Sequence, residues 1–317
     1  MITVLPTATE SADARFCELD AFPAGSALAV LWESQLAAVA SVGPALPAIA
    51  AAAQAAATRL ATKGRLVYTG AGTSGRVAAQ DGAELFPTFG WPVDRTLVLP
   101  AGGSEALLGA VENAEDDQAA ASTVVQANGI GSLDVVVGVA ASGTTPFTLS
   151  LIALAKERGA LTIGIANSPA TPLLAAAEIP VLAETGAEPI AGSTRFKAGT
   201  AQKVILNLFS TLLMMQLNRV YRGRMVDLEI TNAKLQGRAG RMVADLAGVG
   251  ESDAQALLSA ARGSVKRALL LARGVQTAAA DRLLEQHRGS LRAALAELDA
   301  QQRLRNGGER PERVQLD

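Results

Sequence analysis

The sequence predicts an α/β fold: a parallel sheet flanked by helices in three layers, followed by a small all-helical domain. Three observations carry this. Short apolar runs rich in β-formers alternate with helical stretches between Leu66 and Ala183, the signature of parallel strands covered on both faces. Two of those runs end in loops crowded with glycine and hydroxyl residues. Beyond Arg222 the composition shifts to short amphipathic helices punctuated by Gly248, Gly250, Gly263 and Gly274.

Taken in order, residues 1–54 form an N-terminal arm and helices that pack on the core. Leu28, Leu31, Leu36, Val39 and Val42 outline one helix, and Leu46 to Leu60 a second after Pro44. Residues 55–238 carry the sheet. Strands are expected at Leu66–Thr69, Thr96–Leu99, Asp134–Ala140, Leu161–Ala166 and Ile179–Ala183. Helices fall at Arg76–Glu84, Ser104–Asn113, Asp116–Ala127 and Pro146–Arg158, with a short one in Asn167–Ala177. A long apolar helix from about Ser193 to Tyr221 suits a central or subunit-interface position, which makes a homodimer the expected assembly. Helices at Asp227–Leu246, Asp253–Ala261, Ser264–Ala272 and Ala278–Leu298 follow; the helical domain proper spans 239–300, and 301–317 is a polar tail expected to be mobile.

Bulk properties exclude several classes. In 317 residues the formal charge is −2, so no basic face announces nucleic acid or an anionic membrane as partner. Cys17 and His287 are the single cysteine and histidine, too few for an internal disulfide or a Cys/His zinc site, and His287 reads as a surface residue. The acidic start lacks a secretory pattern, and Pro47, Gln54 and Arg59 interrupt the alanine-rich stretch 45–61, so no bilayer span is expected and the cytoplasm is the expected compartment.

The run Arg65–Arg76 joins a strand to a glycine turn with two adjacent hydroxyls, Thr73 and Ser74, at a helix start. Backbone N–H groups there favour phosphate. Gly70, Gly72 and Gly75 also satisfy the dinucleotide pattern, but no acid ends the second strand to hold a ribose. A second loop, Ser142-Gly-Thr-Thr145 before Pro146, repeats the design. Two hydroxyl-rich loops without a ribose clamp suit a sugar phosphate. Glu84 lies about three turns beyond the first loop, a reach matched here to a hexose phosphate; Glu112, Glu115, Asp116 and Asp117 form an acidic cluster whose ordinary roles are solvation and capping.

The runs Gly64–Arg76, Ala101–Gly103 with Ala110–Asp116, Asp134–Gly143, Gly192–Lys203 and Met225–Asn232 resemble the N-acetylmuramic acid 6-phosphate etherases, of the sugar isomerase (SIS) fold. The resemblance implies a lyase of peptidoglycan recycling that splits the D-lactyl ether at C3 of a phosphorylated amino sugar, without metal or cofactor. It places Glu84 as proton donor and Glu115 as the second catalytic glutamate, the base. An acidic group working near neutrality needs a raised pKa, so Glu84 is expected to be partly buried against Phe86 or Phe89. By the same resemblance Thr73, Ser74, Ser142, Thr144 and Thr145 surround the substrate's phosphate, Gly72, Arg76 and Gly143 also belong to the substrate site, and Glu188, Ser193 and Thr194, with Arg195, approach the sugar. The sequence departs from the family at Val77, at Ala83 and Leu85–Phe86 beside Glu84, and at Thr144, where an arginine is common; Arg76 or Arg195 could compensate. A sugar-phosphate aldose–ketose isomerase and a non-catalytic sugar-phosphate sensor, such as the glucokinase regulatory protein, are the competing readings.

Overall fold

The computed structural model describes residues 8–306; the expected mobile tail from 307 and the first seven residues of the arm lie outside the described residues. Five strands, β1 (Leu66–Gly70), β2 (Thr96–Pro100), β3 (Val135–Val139), β4 (Leu161–Ala166) and β5 (Ile179–Leu182), form one parallel sheet in the order β2-β1-β3-β4-β5. Every residue of β1, β3 and β4 is buried, as strands covered on both faces require.

Helices α1 (Ala24–Ala40) and α2 (Leu46–Leu60) precede the sheet, and α3 (Gly72–Phe89) leaves β1. Next come α4 (Gln118–Ala127), α5 (Pro146–Glu157), α6 (Pro172–Ala176) and α7 (Lys197–Gln216). One face of the core gathers Val67, Val136, Phe147, Leu151 and Ile152 around α4 and α5. By length and composition Ala24–Leu60 is apolar enough to cross a bilayer, with mean hydropathy 1.8, contrary to the expectation that no stretch would be. A 3-10 turn at Gly43–Ala45 divides it, however, and α2 buries Ile49, Ala52, Ala53, Ala56 and Leu60, which makes α2 a core helix.

The described chain divides into two compact units: residues up to Phe86 with Trp91–Gln216, and Pro87–Gly90 with residues from Leu217 onward. The second is built on α8 (Ala233–Ala247), α9 (Glu251–Ala260), α10 (Val265–Leu271), α11 (Thr277–Gln286) and α12 (Leu291–Asn306). Its core holds Met242, Val243, Leu258, Leu269 and Leu270. Asp227 accepts a 2.5 Å hydrogen bond from the buried Lys266 Nζ, and Asn232 caps α8 by accepting from Leu235 N. Both residues of the Met225–Asn232 motif thus secure their own segment.

Three expected elements changed. The helix expected at 104–113 is only a 3-10 segment, Gly103–Leu107, because Gly102, Gly103 and Asn113 all adopt positive φ. The single helix expected at 278–298 breaks where Arg288 and Gly289 do the same. Finally, α12 runs on to Asn306, into the stretch read as tail. His287, read as a surface residue, is half-buried with Nε2 2.6 Å from Glu297 Oε2.

Candidate active site

Sheet order places the two glycine loops together. β1 and β3 are neighbours, with Gly70 opposite Val139, so both loops leave adjacent strand ends at the point where the chain's winding reverses. Ligands of open α/β sheets bind at such a switch. The glycines have separate reasons. A Cβ on Gly70 would lie 2.7 Å from Val139 O, one on Gly75 2.7 Å from Gly70 O, and Gly72 has φ +53. Close approach of helix to strand, rather than a nucleotide, explains the glycine pattern.

In the first loop Gly75 N donates to Ala71 O. The amides of Gly72, Thr73 and Ser74 precede that bond and belong to the first turn, where no carbonyl is available along the helix. Ser74 is buried and Thr73 half-buried. In the second, Gly143 at φ +66 packs so closely on Thr171 that no side chain would fit. Thr144 donates through both its N and Oγ1 to Ser142 Oγ, at 3.2 and 2.9 Å, and Thr145 leaves its hydroxyl out of the cap of α5.

A cavity of about 350 Å³ connects the first loop to the acidic cluster, lined among others by Gly72, Arg76, Glu112, Glu115 and Asp116. Arg76 builds its wall: Nε donates to Ala106 O at 3.0 Å and Nη2 to Gly109 O at 2.6 Å. Asp117 is the capping residue of the cluster, accepting from Ala120 N. Glu115 sits in a 3-10 turn, Ala114–Asp116, entered through left-handed Asn113.

Glu84 requires a correction. It is exposed, not tucked against Phe86 or Phe89, because Ser74, Ala78, Asp81 and Leu85 form the buried stripe of α3. Twelve residues of helix also separate it from Gly72, about 18 Å at 1.5 Å per residue. That exceeds the span from phosphate to C3 in a hexose 6-phosphate.

The third group lies at the start of α7. Glu188 is 1% exposed; its Oε2 accepts from Lys197 N at 2.8 Å and Oε1 from Ala198 N at 2.9 Å. Burial raises its pKa while those amides pull it down. The structure therefore gives Glu188 a capping task at the start of α7. Glu188→Ala strands two buried amides and is expected to cost about 2–4 kcal/mol in urea unfolding; a sugar-contacting role would instead raise KM with the unfolding midpoint unmoved. Ser193 and Thr194 are half-buried and Arg195 exposed. Thr194 O accepts from Gly199 N, and Gly199 packs on Thr73, which ties this loop to the first cradle.

Sequence reading passed over Asp81, 1% exposed on α3. Its carboxylate accepts from Tyr68 Oη at 2.8 Å, Asn207 Nδ2 at 3.0 Å and Ser210 Oγ at 3.1 Å. Burial raises its pKa against the pull of those donors. An acidic residue at helical spacing between Ala78 and Leu85 was the available signal.

Residues 48–156 match the glucokinase regulatory protein N-terminal SIS domain, and 114–212 the SIS domain. N-acetylmuramic acid 6-phosphate etherase of Deinococcus radiodurans is 48% identical over 296 residues, 93% of this chain and 97% of the relative. The chain belongs to the N-acetylmuramic acid 6-phosphate etherase family. The etherase of Salmonella typhimurium is 41% identical over 90% of this chain and 97% of its own length. Among solved structures, a phosphoheptose isomerase from Francisella tularensis aligns with TM-score 0.47 at 20% identity, covering 61% of this chain and all of that one. Identity running nearly end to end sets the etherase family apart from the competing isomerase and sensor readings, and it extends beyond the two cradles to the helical unit.

Proposed function

We propose that this protein is an N-acetylmuramic acid 6-phosphate etherase, converting its substrate to N-acetylglucosamine 6-phosphate and D-lactate. The observation that carries the reading is the cavity in which the first cradle and Glu115 meet. Phosphate sits on the α3 amides with Thr73 and Ser74, and the hydroxyls of Ser142, Thr144 and Thr145 close the other side. In the open-chain sugar the aldehyde makes the C2 proton acidic. Glu115 removes it, the C3–O bond breaks, and lactate leaves with a proton supplied by Glu84. Water then adds at C3 of the unsaturated aldehyde. Two carboxylates suffice for this sequence.

Because Glu84 lies too far along its own helix, it serves the site of a second copy. Apolar surface supports such a pairing. Leu28, Trp32, Leu36 and Val39 are exposed at helical spacing on α1, and Leu46, Leu208 and Met215 line an apolar groove of about 520 Å³. Exposed apolar surface of this kind marks an interface. A cytoplasmic homodimer is the form in which the enzyme works.

Turnover of N-acetylmuramic acid 6-phosphate in water labelled with oxygen-18 tests the chemistry. Elimination and rehydration place the label at C3 of the product sugar and release unlabelled D-lactate. Label in the lactate, or a ketose formed without lactate, rules the reading out.

A further inference from the structure

α3 and α7 lie side by side, running in the same direction and in step. At one end a Cβ on Gly199 would lie 3.1 Å from Thr73 Cγ2. Eight residues later on both helices, Asn207 meets Asp81, and Ser210 joins it one turn on. Gly199, Lys203 and Asn207 are spaced at i, i+4 and i+8, so they share one face of α7. Lys203 therefore lies in the seam between the two helices, four residues, about 6 Å, from the residue that touches the first cradle.

This ammonium has no hydrogen-bonding partner among the described residues. Lys203 is half-buried, yet it makes no hydrogen bond or ion pair with any other described residue. Asp81 feels its charge but is outside ion-pair contact, and its carboxylate is already held by three donors. Holding a cation in a partly dry seam without a partner is costly. Side chains on a helix lean toward its N-terminus, which directs Lys203 back toward Thr73. Two other cations near the site are committed: Arg76 donates to two carbonyls, and Lys197 Nζ donates to Ala187 O at 2.8 Å. Thr144 supplies no charge to the second cradle.

We infer that Lys203 is a phosphate-binding residue of the first cradle, supplying from α7 the positive charge that meets the dianion seated on the α3 amides. The inference rests on the sugar-phosphate reading of that cradle, but its test does not require turnover. Wild type, Lys203→Met, Lys203→Gln and Lys203→Arg would be titrated calorimetrically with inorganic phosphate, N-acetylglucosamine 6-phosphate and D-lactate. A lost charge-assisted hydrogen bond is expected to weaken both phosphate ligands about ten- to a hundredfold in Lys203→Met and Lys203→Gln. Lys203→Arg should retain most of the affinity, and D-lactate should be indifferent to all three. Urea midpoints measured alongside show that the neutral variants are folded. Phosphate binding within twofold of wild type in a folded neutral variant overturns the assignment, as does a change confined to D-lactate. A wild type that binds phosphate through Lys203 but releases no lactate would support the residue's role and reject the etherase.

Discussion

Glu115→Ala is expected to lower kcat for lactate release by about 10²–10⁴-fold, the range of a lost general acid or base, with KM nearly unchanged. The reason is positional. Glu115 shares a cavity with Gly72 and Arg76, while the phosphate contacts come from other residues, so substrate still binds when the carboxylate is gone. Stability should hardly move, because Glu115 is exposed on a 3-10 turn. Glu112 is the matched control. It lines the same cavity and is also exposed; Glu112→Ala is expected to stay within a few-fold of wild type. Exchange of the C2 proton with deuterated solvent separates base from acid: Glu115→Ala should abolish exchange, whereas loss of the acid alone leaves it measurable. An unchanged exchange rate in Glu115→Ala would remove Glu115 from the role of base.

The two cradles were legible because each pairs a buried apolar strand with residues of a narrow type: glycine where backbones collide, hydroxyls where a helix opens. Strand order was not. Sequence alone cannot say that β3 inserts beside β1 and displaces β2 to the edge, and that insertion is what brings the cradles together. The segment 104–113 failed as a helix for a local reason: helical composition in Glu105–Leu108 is overridden by positive φ at both ends of the loop, leaving Leu108 98% exposed. Glu188 was placed near the sugar by the family resemblance alone, and its sequence neighbourhood carries no sign of a capping task. Only the structure shows both of its oxygens turned to the α7 amides. Lys203 carried a signal that went unread, the i, i+4, i+8 spacing of Gly199, Lys203 and Asn207, whose meaning depends on knowing that α3 lies alongside.

Subunit mixing gives the sharpest test of where Glu84 works. Glu84→Ala and Glu115→Ala homodimers are each expected to be nearly inactive. If a two-fold dimer forms each site from the cradle and Glu115 of one copy with Glu84 of the other, a mixed dimer holds one site with both carboxylates and one with neither. Refolding the variants together in equal amounts makes about half of the dimers mixed, each with one of two sites intact, so about a quarter of wild-type activity returns. If Glu84 instead serves its own chain, every site in every mixture lacks one carboxylate and nothing returns. The same interface can be removed from the other direction. Trp32→Glu with Leu36→Glu puts two charges on the exposed apolar stripe of α1 and is expected to shift the protein to monomer in sedimentation, with loss of lactate release but retained binding of inorganic phosphate. On the proposed arrangement the cradles are built within one chain and the acid comes from the other. Monomers that keep full activity would return Glu84 to its own subunit.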